Sequence, residues 1–316
     1  MHPASSVILF TTSAGAGYGL LFLIALAAPH GMLPLDMWFG VISIGLALVL
    51  ITIGLLSSTF HLAHPERAWR AMSQWRSSWL SREGVAALFT YIPAVLYAGS
   101  WVFLEETRGS WPGLIAALAC VGAIATVFCT GQIYASLQTI RQWNHALTIP
   151  VYLVFALASG ALFLNVLIRG FGGAEQWCDI LVILSLIAAW ALKGSYWRGI
   201  DTARELHTAE TATGLGALGS VRLMDPPHSS ENYLMRELGF KIARKHAQRL
   251  RRFAQMLGLF LPLVATAVML QADGGFGILL AVIALVSGMI GIALERWLFF
   301  AQAKHTVQLY YGEATA

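Results

Sequence analysis

MWFGVISIGLALVLITIGLLSSTF at residues 37–60 and EGVAALFTYIPAVLYAGSWVF at 83–103 flank a polar connection, HLAHPERAWRAMSQWRSSWLSR, at 61–82. An α-helix rises about 1.5 Å per residue and a bilayer's hydrocarbon core is about 30 Å thick, so each apolar run is long enough to cross. Between His61 and Glu83 fall two histidines, four arginines, two glutamates and three tryptophans. Polar groups that dense at the mouth of two spans read either as a docking collar or as a site where protons meet a polar headgroup.

The rest of the sequence agrees with a membrane setting. It has 316 residues, 57% hydrophobic and 11% charged, with a mean hydropathy of +0.67; soluble domains carry roughly 25% charged residues. Eight segments qualify as spans: 7–28, 37–60, 83–103, 113–137, 147–168, 178–197, 253–270 and 276–298. Backbone groups in hydrocarbon must be paired internally and no short alternating pattern of a barrel is present, so the expected fold is all-α, a polytopic bundle of eight transmembrane helices. It reads as a single membrane domain, 1–316, with 198–252 a basic loop between spans 6 and 7. The first segment lacks the basic n-region of a secretory signal and reads as a retained span.

Eight spans place both termini on one side. That side carries 18 of the 20 Lys and Arg, the other only Arg108 and Arg169; acidic residues divide ten and six, for net charges of about +8 and −4. The positive-inside rule then puts both termini and the long loop in the cytoplasm. The overall charge of +4 is therefore a topology signal and implies no nucleic-acid partner. Trp38, Trp101, Trp111, Trp177 and Trp197 fall near span ends, where indoles favour the headgroup level. Gly15 and Gly19 form a small-xxx-small pair for close helix packing. The end of the loop, GFKIARKHAQRLRRFAQ, reads as a basic helix on anionic lipid or a docking surface for a cytoplasmic partner.

Candidate chemistry gathers on the cytoplasmic side. His61 and His64 lie at the exit of span 2, Arg67 just beyond, and Arg82 and Glu83 at the start of span 3. Tyr134 is late in span 4, with Arg141 and His145 after it, and Glu295 and Arg296 lie within span 8 ahead of His305. The nineteen residues of span 8 that precede Glu295 are uncharged, and ionisable groups at such depth face a polar cavity or a partner. The competing reading is a snorkelling arginine with its glutamate at the interface. Two-electron reduction of a quinone takes up two protons, which a histidine such as His61 supplies near neutral pH while Glu83 relays from the cytoplasm. An arginine stabilises charge developing on the ring oxygens. The short segment from Pro65, with Trp69, Met72 and Trp75 on one stripe, reads as a membrane-surface helix. An ion-coupled transporter would place ionisable groups at midplane on several helices; a passive anchor would have no such site.

The three cysteines form no cluster, and apart from His61 no span holds a histidine, so neither an iron–sulfur cluster nor a haem is expected in this chain.

HLAHPERA at 61–68 with LSRE at 80–83 resembles the membrane anchor family of dimethyl sulfoxide reductases, and Arg296 with Phe299-Phe300 and His305 matches that family's last helix. The strings SQWRSSWLSRE, GQIYASLQTIRQWNHA and LERWLFFAQAKH are most similar to the anchors of cytoplasmic, membrane-bound sulfite dehydrogenases. The resemblance implies a haem-free subunit of a bacterial inner membrane that exchanges electrons between quinone (ubiquinone or menaquinone) and an iron–sulfur partner, which serves a molybdopterin catalytic partner. It implies that His61 is the quinone-site histidine and Glu83 its nearby carboxylate; His64, Arg67, Tyr134, Glu295 and Arg296 are the further quinone-binding candidates read from the residues themselves. Ala63 stands where the family often has glycine, and His64 is an additional imidazole. The founding branch carries its catalytic subunits outside; the charge bias here favours the sulfite-oxidising branch over an S- or N-oxide reductase that oxidises quinol.

Overall fold

The structure, a computed structural model, describes residues 4–60, 64–203, 207–225, 246–272, 274–311 and 313. Among them are eight helices long and apolar enough to cross a membrane. They are α1 (Ser5–Ala27), α2 (Met37–Thr59), α3 (Trp79–Phe103), α4 (Ser110–Ala135), α5 (Thr148–Gly170), α6 (Gln176–Thr202), α7 (Ala247–Met269) and α8 (Gly274–Ala301). The apolar windows of α1 and α5 are 72% and 67% buried, those of the other six 33–44%. α1 and α5 are thus the axis of the bundle. α2 and α4 pack on α1, α6 and α8 on α5, with α3 against α4 and α7 against α8. Side chains on the outer faces, such as Ile53, Phe89 and Val286, are exposed and apolar, as lipid contact requires.

α1 and α5 meet where neither has a side chain. A Cβ added at Gly19 would lie 1.8 Å from the Ala156 carbonyl oxygen, and one at Gly160 would lie 2.2 Å from the carbonyl carbon of Gly19. The other half of the expected pair, Gly15, has open space instead. Without a hydrophobic drive between helices in lipid, association rests on such close backbone packing. Gly160→Leu is therefore expected to abolish the folded subunit and Gly15→Ala to leave it intact. A fluorescent fusion followed by size-exclusion chromatography reads this directly; equal monodisperse peaks for both variants would show that the crossing tolerates separation.

Three boundaries differ from expectation. α3 begins at Trp79 because Ser78 caps it, its Oγ accepting the Ser81 N–H at 3.4 Å. This moves Glu83 from the helix mouth to a full turn inside. The basic AQRLRRFAQ stretch is the first part of α7 rather than a separate surface helix, and α6 extends to Thr202. Arg251 there reaches both carboxylate oxygens of Asp201 at 2.5 and 3.1 Å and Gln302 Oε1 at 3.0 Å, which ties the ends of α6, α7 and α8. Finally, α7 carries a π-helical turn at Met256–Phe260. Pro262 has no N–H for the Gly258 carbonyl four residues back, and that freed oxygen accepts Trp190 Nε1–H at 2.8 Å.

The tryptophans divide. Trp38 and Trp111 are exposed at span ends as expected, but Trp101 and Trp197 are core residues. Trp101 packs against Phe39 and Tyr97, so its position near a helix end reports filling between α2 and α3, not a headgroup anchor. Of the long loop, 207–225 is described and holds a short helix, Ala209–Thr213, with a Thr208/Thr211 capping box.

Candidate functional site

Glu83 is 3% exposed, and its carboxylate accepts from Thr130 Oγ1 on α4. Thr130 is also 3.0 Å from the Thr126 carbonyl, one turn back. A hydroxyl has a single proton, so Thr130 can donate to the carboxylate, or accept from a protonated Glu83 and donate to Thr126. Further along the seam Thr126 Oγ1 and Thr90 Oγ1 lie 3.3 Å apart. Threonines tucked against their own helix carbonyls are common singly; here three line up with one carboxylate.

A second polar group forms where α8 faces α6 and α5. Glu295 Oε2 accepts Arg296 Nε–H at 2.5 Å, and Glu295 Oε1 lies 2.6 Å from Lys193 Nζ, an ion pair whose angle does not complete a hydrogen bond. Lys193 and Glu295 have no exposed surface and Arg296 is 2% exposed. Two cations thus share one carboxylate inside the bundle. Aromatic faces take up the surplus charge: the Arg296 guanidinium is 4.1 Å from the Tyr152 ring centre, Lys193 Nζ 3.9 Å from that of Tyr196. Tyr134 stacks on Tyr152 with centres 5.8 Å apart and meets Trp143, Phe299 and Phe300 edge-on. It walls the cluster on the α4 side.

Between the two groups lies a cavity with Thr11, Thr12 and Tyr18 of α1, Thr130 of α4, Tyr152 of α5 and Arg296 of α8 among its walls. Its enclosed space is about 20 Å³, room for about one water. None of Thr12 Oγ1, Tyr18 OH, Tyr152 OH and Arg296 Nη2 completes a hydrogen bond within the described residues, although Tyr152 OH lies near the guanidinium and Tyr18 OH near Thr126. Buried polar groups that converge without partners on a small cavity are what an internal water or a polar ligand atom satisfies.

The connection between spans 4 and 5 closes over this region. Trp143 Nε1 donates to the Phe299 carbonyl at 2.9 Å, and Gln142 Oε1 accepts the Lys304 N–H at 3.1 Å. His145 packs edge-on against Tyr196, and its Nδ1 accepts Leu147 N–H at 3.1 Å. Burial, and secondly the charge of Lys193, holds the His145 pKa below the ordinary histidine range; burial does the same for His305. Among the described residues no three metal-ligating side chains come together.

Residues 1–302 match the family model described as DMSO reductase anchor subunit (DmsC). The protein belongs to that family. It is 30% identical to the C subunit of the sulfite dehydrogenase of Allochromatium vinosum, over 98% of this sequence and 99% of that one. To the C chain of the polysulfide reductase of Wolinella succinogenes it is 27% identical, over 57% of this sequence and 66% of that one. No solved structure matches. The protein is accordingly a multi-pass membrane anchor subunit of an oxidoreductase complex.

Of the sequence-predicted site residues of this anchor subunit, Glu83 and Arg296 reach the same cavity from opposite sides, Glu83 through Thr130. Glu295 pairs with Arg296, and Tyr134 stacks on the Tyr152 ring over which Arg296 lies. His64 and Arg67 are not part of this arrangement. Both are exposed, His64 just before and Arg67 within the 3₁₀ segment Pro65–Gln74, and they face Glu66 at 3.0 and 3.6 Å. Arg82 is structural: it donates to the Trp75 and Arg76 carbonyls at 2.9 and 2.7 Å and lies over Trp79. His61 falls outside the described residues. Sequence reasoning missed Lys193, Tyr18, Thr130 and Tyr152. Lys193 had a signal, since it lies inside an apolar span although counted with the cytoplasmic charges; a tyrosine or threonine in a span carries none.

Proposed function

We propose that this protein is the quinone-reactive anchor of a bacterial inner-membrane sulfite:quinone oxidoreductase. The observation that carries the reading is a buried carboxylate, Glu83, joined through Thr130 to a cavity where Arg296, Tyr152 and Tyr18 present unsatisfied donors. Quinone carbonyl oxygens need such donors, and the surplus positive charge of Lys193 and Arg296 over Glu295 favours negative charge developing on the ring. Quinone supplies the two-electron acceptor; the protein supplies donors, charge and a proton route. Glu83 holds the exchangeable proton, Thr130 hands it on, and His61 at the end of span 2 is assigned as the second protonating group.

The likeness to a sulfite dehydrogenase anchor supports the donor assignment. Sulfite plus water gives sulfate, two electrons and two protons; quinone takes up two electrons and two protons to become quinol, so the overall reaction balances. Electrons arrive through an iron–sulfur subunit from a molybdopterin catalytic subunit. Both dock on the cytoplasmic face against the basic 198–252 loop and the 61–82 connection, and lipid surrounds the single membrane domain.

Membranes containing the complex should form quinol on addition of sulfite. Deletion of this anchor should abolish that activity and spare reduction of an artificial dye by the catalytic subunit. A reporter fused after Ala316 should be cytoplasmic. Absence of sulfite-dependent quinol would overturn the donor assignment, and periplasmic phosphatase activity from the fusion the orientation.

A further inference from the structure

The polar cavity borders an apolar furrow at Tyr18. Tyr18, Val127 and Ala156 are walls that the cavity shares with this open furrow between α1, α4 and α5, about 230 Å³ in volume. That furrow in turn shares Phe22 and Leu157 with a second one, about 460 Å³, between α1, α5 and α6, which runs on to Met32 beyond the end of α1. The two furrows lie end to end along α1, with Phe22 and Leu157 at their common boundary. Tyr18 lies thirteen residues into the helix, about 20 Å from Ser5 at 1.5 Å per residue. This track of two furrows therefore leads from mid-bilayer to the far interface. Its outer lip, including Leu26, Ile180 and Leu184, is exposed and so open to lipid.

The two ends of this track differ in kind. Apart from Tyr18 the first furrow is lined by apolar residues and glycine, whereas beyond Tyr18 the unsatisfied hydroxyls and the Arg296 guanidinium begin. An amphiphile that fills it must enter head first, with an uncharged polar head at mid-bilayer and a long apolar chain trailing outward. A phospholipid enters the other way round: its charged head stays at the interface, and only a terminal methyl would reach the donors at Tyr18. The cavity beyond Tyr18 has only about 20 Å³ of free space, too little for a ring, so a ring whose oxygen meets those donors sits on the furrow side.

We infer that this track seats the isoprenoid tail of the membrane quinone, with Tyr18 at the junction of tail and ring; the inference rests on the proposed function. Phe22 and Leu157 grip the middle of the tail, and the Ile180–Leu184 lip of α6 guides its end. Tail recognition is thus separate from the protonation machinery at Glu83.

The test compares two quinones with the same ring, one with a long isoprenoid tail and one without, as acceptors for the complete complex in detergent. Leu157→Trp fills the track at the shared wall, and Leu184→Trp narrows its exposed lip with little demand on folding. With Leu157→Trp, KM for the long-tailed quinone should rise about tenfold or more, while kcat/KM for the tail-free quinone stays within about twofold. Leu184→Trp should shift the same ratio in the same direction and carries the test alone if Leu157→Trp fails to assemble. An unchanged KM for the long-tailed quinone would mean that the track holds only lipid chains, and an equal fall for both quinones would mean that it has no part in tail recognition; either overturns the inference. No quinol from either quinone with the unaltered protein would instead overturn the proposed function.

Discussion

Glu83→Gln is expected to lower quinone-linked turnover by about 10²–10⁴, the usual range for loss of one general acid–base group, while dye-linked turnover of the same membranes is unchanged. The substitution is isosteric. A glutamine Oε1 still accepts from Thr130 Oγ1, so the contact between α3 and α4 that buries residue 83 is kept. What it removes is the exchangeable proton. Its other terminal group is an amide that donates but does not release, so Thr130 no longer has a proton to pass towards the cavity. Two acceptors in one preparation separate the interpretations. Dye-linked turnover retained by washed membranes shows that the partner subunits are still docked and reduced; without the anchor it would move to the soluble fraction. If both activities fall together with loss of the partners, Glu83 belongs to a docking collar. If neither falls, protons reach the quinone by another route.

Much of the fold is legible in the sequence because in hydrocarbon length and apolarity nearly determine a helix. The eight spans and the depth of Glu295 and Arg296 follow from that alone. What the sequence could not show are the partners chosen across helices. Lys193 and Glu295 are about a hundred residues apart, and nothing in the local pattern of either names the other. Trp101 and Trp38 have the same status as tryptophans near span ends, yet one fills the gap beside Phe39 and the other faces outward. Gly15 and Gly19 are equally small, but only Gly19 meets Gly160. The position of Glu83 turned on one cap: a helix from Ser78 rather than from residue 83 carries the carboxylate a turn inward, from the interface to Thr130. Thr130 and Tyr18 acquire meaning only when the cavity between them is seen.

The Lys193–Glu295–Arg296 cluster yields the second large effect, and it falls on stability before activity. Glu295→Gln leaves two cations in the bundle with no anion between them; removing one partner of a buried ion set typically costs about 3–5 kcal/mol. The subunit should accumulate poorly and melt at a markedly lower temperature in detergent. Lys193→Met combined with Glu295→Gln should recover part of that loss, since one cation rather than two then lacks an anion and Arg296 keeps its seat over Tyr152. Arg296→Gln is the informative contrast. It leaves Lys193 and Glu295 as a neutral pair, so the fold should persist, but the guanidinium facing the cavity is gone and quinone-linked turnover should drop while dye-linked turnover holds. Thermal melts of the three variants beside the two-acceptor assay decide the matter. A Glu295→Gln subunit as stable as the unaltered one would show that the carboxylate does not hold the cations. If Arg296→Gln were as unstable as Glu295→Gln, the arginine would be a structural strut, and the charge available to a quinone would have to come from Lys193.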